Sequence, residues 1–578
     1  MNVLGISAFY HDAAACLMRD GEVIAAAQEE RFTRSKHDAD FPIHAIRYCL
    51  EAGRILVDDL DAIGFYEKPF IKFKRLLFSH VAGFPRSWRA FMRAMPSWLH
   101  QKLVIPSLIR EELQYDGPVY MIEHHLSHAA SAFLVSPFSE AAVLTVDGVG
   151  EWSTATYGRG SGSQIDLFRE IRFPHSLGLL YTAFTSYLGF KVNSAEYKVM
   201  GLAPYGEPRF EREVRKLIEV AKDGSFRLDM DYFAYHYGLE MTNERFHRLF
   251  GGPPRMPEGP LEQRHRDIAA SVQRVTEDVM LEMARHLHRE TALPDLCLAG
   301  GVALNCVANG RILREGPYRR LFIQPAAGDA GGALGVAAFL QHNLFEVPRR
   351  NAMRHAFLGP SYERDEIRAF LRVKGAVFEE LDDAALLDAT ARAIAEQQVV
   401  GWFQGRMEFG PRALGARSIL ADARNPENRD RVNLKIKFRE SFRPFAPAVV
   451  AERADEFFEL GHESPFMGLV AQAREGQRRL PATTHVDGSA RVQTVDAETN
   501  PLFHRLLRAF EALTGTPVLI NTSFNVRGEP IVCSPADALR CFLSTGMDVL
   551  VIDHFVLRKS AQVVTGGEGA LPSAFALD

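Results

Sequence analysis

The first part of the chain alternates short apolar runs with polar turns. Residues 3–28 contain three apolar runs, and Asp20-Gly21, between the second and the third, is a hairpin turn signal. Apolar runs of this length, bounded by turn residues, predict β-strands. A similar unit follows at residues 141–157, where the turn Asp147-Gly148 separates an apolar run from a β-rich one. The repetition predicts a domain built from two related lobes.

The pattern changes further along the chain. Residues 262–291 have the length and periodicity of a long helix, and residues 296–305 predict a strand followed by a glycine turn. Residues 321–340 predict a strand, a glycine-rich loop and a helix. A second α/β unit follows, with strands predicted at residues 398–404, 448–451 and 517–521.

A chain of 578 residues is too long for one ordinary core, so we expect two domains. The sequence becomes polar and basic after Pro348, and Gly359-Pro360 punctuates it. We therefore predict a first domain at 1–355 and a second at 356–578. Both should be of the α/β class.

Composition narrows the class of protein. Hydrophobic residues make up 47% and charged residues 24% of the chain, which is typical of globular proteins. A net charge of −5 argues against a general nucleic-acid binder. The six cysteines form no C-x-x-C pair, and there is neither a signal peptide nor an apolar run long enough to span a bilayer. We expect a cytoplasmic enzyme without a transmembrane segment.

Residues 68–110 have a distinct composition. They contain nine Lys or Arg residues and no Asp or Glu, interleaved with phenylalanine and tryptophan. Such a segment predicts an amphipathic helical insertion that contacts a membrane surface or an anionic acceptor. The commoner case, which we favour, is an insertion whose aromatic side chains pack inward and whose basic side chains are solvated.

Two histidines indicate a metal site. His124 and His128 are four residues apart, so on a helix they share one face and can bind one ion. His125 points away from that face. Asp147 at a strand end and Asp329 in a glycine-rich loop can add carboxylate ligands. Such a ligand set suits Fe(II), Mn(II) or Zn(II).

Glycine turns in the first half suggest a nucleotide site. They bring backbone N–H groups and helix N-termini within reach of phosphates, although such turns also serve plain helix–strand packing. The stretch 193–206 adds a further turn with charged residues. The candidate nucleotide-binding residues are Glu196, Lys198, Gly201, Gly300, Gly301, Asn305 and Gly328.

The second half is rich in cationic side chains held in short Gly-Pro loops. Such side chains can clamp phosphate groups, and a Ser-x-Asn at a strand end opposite them can help to hold a triphosphate with Mg²⁺. The cationic residues are Arg406, Arg412, Arg417, Lys437, Arg439, Arg443, Arg491 and Arg527. The polar strand-end residues are Asn521, Ser523 and Asn525.

These residues lie in motifs that resemble one family over essentially the whole chain: the NodU/CmcH-type O-carbamoyltransferases, which modify nodulation factors, cephalosporins and aminoglycosides. The motifs that carry the resemblance are YHDAAACL, EERFTRSKHD, EHHLSHAASAF, VMGLAPYG, GGVALN, MEFGPRALGARSIL, FRPFAP and NTSFNVRGEPIV.

The resemblance implies an N-terminal actin-like ATPase domain of the sugar-kinase superfamily and a C-terminal YrdC-like domain. It implies that the YrdC-like domain makes carbamoyl-adenylate from ATP and carbamoyl phosphate, and that the N-terminal domain transfers the carbamoyl group to a hydroxyl beside an iron ion. Because that adenylate carries a good leaving group, transfer chiefly requires alignment and charge stabilisation.

By motif position, the metal ligands are His124, His128, Asp147 and Asp329. The carbamoyl-phosphate and ATP site comprises Arg412, Lys437, Arg443, Arg491, Ser523, Asn525 and Arg527, with Asn521 at the same strand end. The acceptor side of the transfer site comprises His11, Asp12 and Lys36, with His11 or Asp12 as the base.

The basic aromatic insertion sets the chain apart from the antibiotic-tailoring members of the family. It favours an anionic or amphiphilic glycan, or a lipid-linked sugar, over a polycationic aminoglycoside. A hydrogenase-maturation carbamoyltransferase is disfavoured because it needs C-x-x-C zinc fingers. Two competing functions stay open at this point: a tRNA threonylcarbamoyl transferase and a non-enzymatic actin-like nucleotide-binding module.

Overall fold

The computed structural model describes residues 1–100, 102–440, 442–474 and 480–562. Parts of the predicted insertion, of the cationic loop 433–447 and of the second domain fall on residues 101, 441, 475–479 and 563–578, outside the described residues. The chain divides into two compact units. The first comprises Met1–Glu29 and His37–Met353, and the second comprises Glu30–Lys36 and Arg354–Asp578.

Among the described residues up to 353 there are twelve strands and thirteen α-helices. One of these helices, α1, belongs to the second unit. The strands are β1 (Asn2–Ser7), β2 (Ala14–Arg19), β3 (Glu22–Gln28), β4 (Ala62–Phe65), β5 (Val119–Met121), β6 (Glu140–Val146), β7 (Ser153–Ser161), β8 (Gln164–Arg172), β9 (Ile218–Val220), β10 (Phe226–Leu228), β11 (Asp295–Ala299) and β12 (Arg320–Ile323). The helices are α1 (Glu30–Thr33), α2 (Ile43–Gly53), α3 (Pro69–Ala82), α4 (Trp88–His100), α5 (Ile105–Leu113), α6 (His124–Phe133), α7 (Leu177–Tyr187), α8 (Glu196–Leu202), α9 (Glu211–Leu217), α10 (Glu244–Leu249), α11 (Gln263–Thr291), α12 (Cys306–Glu315) and α13 (Ala330–Phe339).

Two five-stranded sheets of the first unit repeat one topology. The first sheet has the order β3-β2-β1-β4-β5, and the second has the order β8-β7-β6-β11-β12. In each, the first three strands are antiparallel, and the last three are parallel. The duplicated lobe predicted from the two turn-containing units is therefore confirmed.

Helix α13 packs tightly against α6 and against β1 of the first sheet. A Cβ atom on Gly335 would lie only 1.8 Å from the carbonyl oxygen of Ser127 in α6, and one on Gly5 in β1 would lie 1.9 Å from the carbonyl oxygen of Ala333. Only glycine permits backbones to approach so closely. The glycine-rich sequence of α13 therefore serves packing, and this packing brings Asp329, just before the helix, close to α6.

The insertion at 68–110 forms the helices α3, α4 and α5, as predicted. The favoured packing of its side chains is wrong in part. Phe73 packs against the buried Trp98 in a tilted arrangement, with 5.8 Å between ring centroids. However, Phe70, Phe78 and several other apolar residues are exposed. Lys72 and Arg75 are buried instead, because each has a partner inside the first unit.

Among the described residues from 354 onward, the second unit contains ten strands and six further α-helices, and it also includes α1. The strands are β13 (Glu379–Glu380), β14 (Val400–Phe403), β15 (Arg417–Asp422), β16 (Ala446–Val450), β17 (Val470–Gln472), β18 (Ser489–Arg491), β19 (Gln493–Val495), β20 (Val518–Ser523), β21 (Val549–Ile552) and β22 (Phe555–Arg558). Four of its helices have eight or more residues: α14 (Arg364–Val373), α15 (Asp383–Ala395), α18 (Pro501–Thr514) and α19 (Pro535–Ser544). The other two, α16 (Glu427–Val432) and α17 (Ala454–Phe457), are shorter.

Eight of these strands form one mixed sheet in the order β13-β22-β21-β14-β15-β20-β16-β19. Helices α15 and α18 cover it with an apolar face that includes Leu386, Leu507 and Phe510, packed against Trp402 and Leu420 of the sheet. Burial of large apolar side chains on this scale is the main force that holds such a sheet–helix layer together.

The segment Glu30–Lys36 belongs to the second unit although it interrupts the first in sequence. Arg31 donates to the carbonyl oxygen of Gly410 at 2.8 Å, and Arg34 donates to that of Ile531 at 2.7 Å. Phe32 packs against a buried cluster of Met407, Ile531 and Cys533. The sequence assigns this segment to the first domain, since only the folded structure reveals these carbonyl partners.

Within the described residues, no helix combines the length and the hydropathy needed to cross a bilayer.

Candidate functional site

Five predicted site residues of the first unit follow the carboxyl ends of its parallel strands. His11 follows β1 and His124 follows β5, whereas Asp147, Gly300 and Asp329 follow β6, β11 and β12. Parallel strands present their carboxyl ends at one edge, where open α/β sheets commonly bind ligands. The repeated topology of the two lobes therefore brings these residues together.

The four predicted metal ligands form one buried cluster. Nε2 of His124 lies 3.0 Å from Nε2 of His128 and 3.1 Å from Oδ2 of Asp147. Oδ1 of Asp329 lies 3.7 Å from Nε2 of each histidine. All four ligand atoms lie within 4.8 Å of one another, and all four residues are buried. The His-x-x-x-His spacing on α6 thus directs both imidazoles at one point.

The cluster is strongly polarised. Burial alone would raise the pKa of Asp147, but His124 and His128 lower it well below its ordinary value. The pKa of Asp329 is also lowered, because His11 and His124 outweigh the effect of burial. Burial would lower the pKa of His124, yet Asp329 and Asp147 raise it. The surrounding imidazoles therefore stabilise both buried carboxylates in their charged form.

The donor set fits a divalent transition metal. Ligand atoms about 2.1 Å from one ion lie roughly 3 to 3.5 Å apart, which is close to the spacing in this cluster. Two imidazoles with two carboxylates suit Fe(II), Mn(II) or Zn(II). A bound cation would also offset the repulsion between the two buried carboxylates. His125 lies outside the set, since its Nδ1 is 2.6 Å from the hydroxyl oxygen of Thr145, and burial lowers its pKa to about 3.

His11 and Asp12 lie beside this cluster. Nδ1 of His11 is 3.0 Å from Oδ2 of Asp12, and its Nε2 is 3.9 Å from Oδ2 of Asp329. Burial would lower the pKa of His11, but Asp329 and Asp12 raise it to about 10. His37 holds the other oxygen of Asp12 at 2.8 Å. Lys36, the third predicted acceptor residue, belongs to the second unit.

Two residues of this site escaped the sequence reasoning. The hydroxyl of Tyr66 donates to Oδ2 of Asp329 at 3.3 Å. The carboxylate of Glu151 accepts from the backbone N–H of His124 at 3.1 Å and from that of Lys68 at 2.7 Å. Tyr66 directly follows β4, so its position at a strand end was the signal that could have identified it.

The glycine turn after β11 serves the carboxylate cluster. Gly300 has φ of 90°, and a Cβ there would lie 2.3 Å from the carbonyl oxygen of Val146. The turn directs the N–H of Gly301 to Oδ1 of Asp147 at 2.8 Å. A backbone donor to a carboxylate stabilises the charged form and fixes its orientation.

The other predicted nucleotide residues are dispersed over the first unit. Asn305 caps α12 by accepting from the N–H of Ala308 at 3.1 Å, and it also pairs with the buried Gln273. Glu196 accepts from the hydroxyl of Thr182, whereas Lys198 is buried with its ammonium 5.6 Å from the ring of Phe190. Gly201 lies within α8, and Gly328 lies just before Asp329.

In the second unit, Lys437 joins the predicted Ser-x-Asn group. Its ammonium donates to the hydroxyl of Ser523 at 3.0 Å and to the backbone carbonyl of Asn525 at 3.1 Å. Lys437 ends a π-helix, Asn433–Lys437, and Phe438 after it has φ of 49°. Irregular helical turns of this kind are frequent at functional sites. The buried ammonium thus lies at the end of β20.

The remaining predicted residues of this unit surround that strand end in sequence. Asn521 lies on the same face of β20 as Ser523, and its amide donates to Gln493 at 2.6 Å. The backbone carbonyl of Arg443 accepts from Asn433 at 3.1 Å, within the loop that follows Lys437. Arg491 ends β18. Arg412 and Arg527 are half-buried in loops.

Three arginines of the cationic set have structural partners. Arg417 is fully buried, donates to the carbonyl oxygens of Gln404 and Pro360 and lies over the ring of Phe403. Arg406 donates to the carbonyl of Leu358, and Arg439 donates to the side chain of Asn433. The prediction that Arg417 contacts phosphate is wrong, because its guanidinium is buried among backbone carbonyls.

Glu408, which the sequence reasoning did not single out, organises the loop that carries Arg412. Its Oε1 accepts from three backbone N–H groups, those of Leu414, Ala416 and Arg417, at 2.7 to 3.1 Å. The side chain is buried. A carboxylate that accepts several backbone N–H groups holds a loop in one conformation.

We expect Glu408→Ala to lower the free energy of unfolding by about 2 to 4 kcal/mol, because three buried N–H groups lose their acceptor. Glu408→Gln keeps an acceptor oxygen and should cost about 1 kcal/mol. Denaturant unfolding of both variants measures the difference. Equal stability of wild type and Glu408→Ala would contradict this role.

Two family profiles match the chain. The profile described as Carbamoyltransferase N-terminus matches residues 2–338, and the profile described as Carbamoyltransferase C-terminus matches residues 391–559. The two matches together cover most of the chain, and each lies in the half that contains the corresponding group of site residues.

Similar proteins occur in several bacteria. An uncharacterized protein from Synechocystis sp. is 53% identical, with 97% of each chain covered. The nodulation protein NolNO from Sinorhizobium fredii is 40% identical over 95% of this chain and 79% of its own length. The 3'-hydroxymethylcephem-O-carbamoyltransferase from Streptomyces clavuligerus is 36% identical over 52% of this chain and 55% of its own.

Proposed function

This chain belongs to the carbamoyltransferase family and is an enzyme of that class, and we propose that it uses ATP and carbamoyl phosphate to carbamoylate a hydroxyl group. The second unit, which we assign a YrdC-like role, forms carbamoyl-adenylate. The first unit, which we assign to the actin-like ATPases on its repeated sheets, transfers the carbamoyl group. The convergence of His124, His128, Asp147 and Asp329 is the observation that carries this proposal.

In the activation step, carbamoyl phosphate takes up one water and yields carbamate and phosphate. An oxygen of the carbamate then attacks the α-phosphorus of ATP, the bond to the β-phosphate breaks and pyrophosphate leaves with Mg²⁺. The ammonium of Lys437, held in place by Ser523 and Asn525, supplies positive charge to the phosphate oxygens of the substrates. Arg412, Arg443, Arg491 and Arg527 contribute the remaining cationic contacts, and Asn521 an amide.

In the transfer step, the acceptor oxygen attacks the carbamoyl carbon and the bond to AMP breaks. His11 accepts the acceptor's proton at Nε2, while Asp12 orients the imidazole through Nδ1. The four-residue cluster would hold a divalent cation, Fe(II), Mn(II) or Zn(II). Such a cation would supply Lewis-acid polarisation of the carbonyl and would offset the carboxylate charge that raises the pKa of His11. Tyr66 and Gly301 orient Asp329 and Asp147 through hydrogen bonds.

A nucleotide site in the first unit is part of the proposal. Gly300 and Gly301 lie at the carboxyl end of β11, and Gly328 has open space where a side chain would stand. An adenylate phosphate can approach the backbone N–H groups of such turns. Glu196, Lys198, Gly201 and Asn305 then support the surrounding helices.

The acceptor that we propose is a hydroxyl of a glycan, a natural product or a lipid-linked sugar. Helix α3 begins next to this site, since Glu151 accepts from the backbone N–H groups of both Lys68 and His124. The cationic insertion therefore borders the transfer site. Such a border favours an anionic or amphiphilic acceptor over a polycationic one.

The test is incubation of the purified chain with ATP, Mg²⁺ and carbamoyl phosphate. We expect pyrophosphate release that requires carbamoyl phosphate, and carbamoylated product when sugars or glycolipids with free hydroxyls are added. Mass spectrometry of the acceptors detects the product. Failure to consume carbamoyl phosphate would refute the proposal, and consumption of bicarbonate and threonine would indicate a threonylcarbamoyl transferase instead.

A further inference from the structure

Helix α3 exposes large apolar side chains on its outer face and buries two of its three Lys and Arg side chains on its inner face. Phe70 and Phe78 are 67% and 55% exposed, whereas Lys72 and Arg75 are only 4% and 7% exposed. A surface helix of a globular protein ordinarily shows the reverse arrangement. The buried cations must therefore have partners inside the protein, and the exposed apolar side chains call for a partner outside it.

The inner face has specific partners for both cations. The ammonium of Lys72 forms a buried ion pair with Glu67 and lies 5.0 Å from the ring centroid of Tyr10. The guanidinium of Arg75 lies 5.0 Å from the ring centroid of Phe173. Rotating α3 to bury its phenylalanines would expose these pairs and leave Glu67 buried without its cation, which is costly. The orientation of the helix is therefore fixed.

The α3–α4 hairpin, Pro69–His100, exposes many large apolar side chains. On α3, Phe70, Leu77, Phe78 and Val81 recur at helical spacing. Exposed apolar residues continue through Phe84 in the turn and along α4. Of the 22 exposed large apolar side chains in the described residues, ten lie between residues 70 and 104. A cluster of this density marks an interaction site.

The charge of the segment decides which partner fits. Residues 68–110 carry nine Lys or Arg and no Asp or Glu, whereas the rest of the chain has 58 Lys or Arg against 72 Asp or Glu. Lys74, Arg86, Arg89 and Arg93 are exposed among the apolar residues. In a symmetric dimer this face would meet its own copy and its cations would repel. A nucleic acid would match the charge but leave the aliphatic side chains without a partner.

We propose that the α3–α4 hairpin docks this protein on an anionic lipid surface. Its phenylalanines and Trp88 enter the boundary between headgroups and acyl chains, while Lys74, Arg89 and Arg93 pair with lipid phosphates. The buried pairs of Lys72 and Arg75 hold the apolar face outward before any lipid is present. Contact with the membrane is peripheral and reversible, and it depends on ionic strength.

Sedimentation of the full chain with lipid vesicles tests the proposal. We expect binding to vesicles of phosphatidylcholine mixed with phosphatidylglycerol to be at least about tenfold tighter than binding to phosphatidylcholine alone, and to weaken in high salt. The double variant Phe78→Ser/Trp88→Ser and the double variant Lys74→Glu/Arg89→Glu should each lose at least about tenfold in affinity. Trp88 fluorescence should shift to the blue when vesicles are added.

Matched controls carry the same changes elsewhere on exposed positions of the first unit. Leu56→Ser removes an exposed apolar side chain, Lys216→Glu reverses an exposed charge, and both should bind as wild type does. Thermal unfolding should show that the double variants fold, because every substituted side chain is exposed. Equal binding to neutral and anionic vesicles would overturn the proposal. So would a wild-type dimer that the Phe78→Ser/Trp88→Ser change dissociates, since the face would then belong to a second copy.

Discussion

Replacing His124 by alanine should abolish carbamoyl transfer while leaving the activation step intact. His124 contributes Nε2 to the buried cluster, 3.0 Å from His128 and 3.1 Å from Asp147. Its loss removes one of the four proposed metal ligands and leaves Asp147 without its closest imidazole. We expect the transfer rate to fall about 10³-fold or more, with pyrophosphate release changed by less than about twofold. Bound divalent metal, measured by elemental analysis, should fall together with the transfer rate.

His125→Asn is the matched control on the same helix. His125 is equally buried, but its Nδ1 contacts Thr145 rather than the cluster. An asparagine can keep this contact, so metal content should stay at the wild-type level and transfer within about tenfold of it. If His124→Ala removed both half-reactions equally, the assignment of activation and transfer to separate units would fail.

Replacing Lys437 by methionine should impair the activation step and leave the metal cluster of the transfer step intact. The ammonium is buried at the end of β20 against Ser523 and Asn525. Methionine is similar in length but has no charge, so phosphate binding should suffer most. We expect pyrophosphate release to fall about 10³-fold, and the metal content of the first unit to stay unchanged.

Lys435 provides the control, since it is exposed two residues earlier in the same π-helix. Lys435→Met should leave pyrophosphate release within about twofold of wild type. Measurement of pyrophosphate at several carbamoyl phosphate and ATP concentrations separates weaker binding from slower chemistry. Equal losses in both variants would mean that general surface charge, rather than a placed ammonium, drives activation.

Much of this fold can be read from the sequence because its signals are local. The turn Asp20-Gly21 and the apolar runs around it predict β2 and β3 correctly, and residues 262–291 predict α11 to within one residue. The His124/His128 spacing predicts that both side chains share one face, and the structure has them on α6. Each inference needs only strand or helix periodicity.

Properties that depend on distant partners could not be read in this way. The pattern of α3 shows an amphipathic helix, but the face that it buries depends partly on Phe173, which contacts Arg75 and is about a hundred residues away. Burial of Arg417 likewise depends on the carbonyls of Gln404 and Pro360. In both cases a cation that periodicity places in solvent is buried because the tertiary fold supplies its partners.

The glycine-rich loops show a third limit. Glycine turns suggest phosphate binding, yet Gly335 permits close packing of α13 on α6, and Gly301 directs its N–H to Asp147. The same residue type serves both purposes, because each needs a backbone without a Cβ. Only the neighbouring atoms distinguish the two.

The segment Glu30–Lys36 affects whether the second half of such a chain can be exchanged for that of a relative. Because Arg31 and Arg34 are bonded to carbonyls that residues 410 and 531 supply, this short stretch must remain compatible with a partner surface encoded hundreds of codons downstream. A recombination event at the junction near residue 354 would exchange that surface and leave the heptapeptide behind. Replacing the second half alone would therefore change the surface that Arg31 and Arg34 contact while keeping the two arginines.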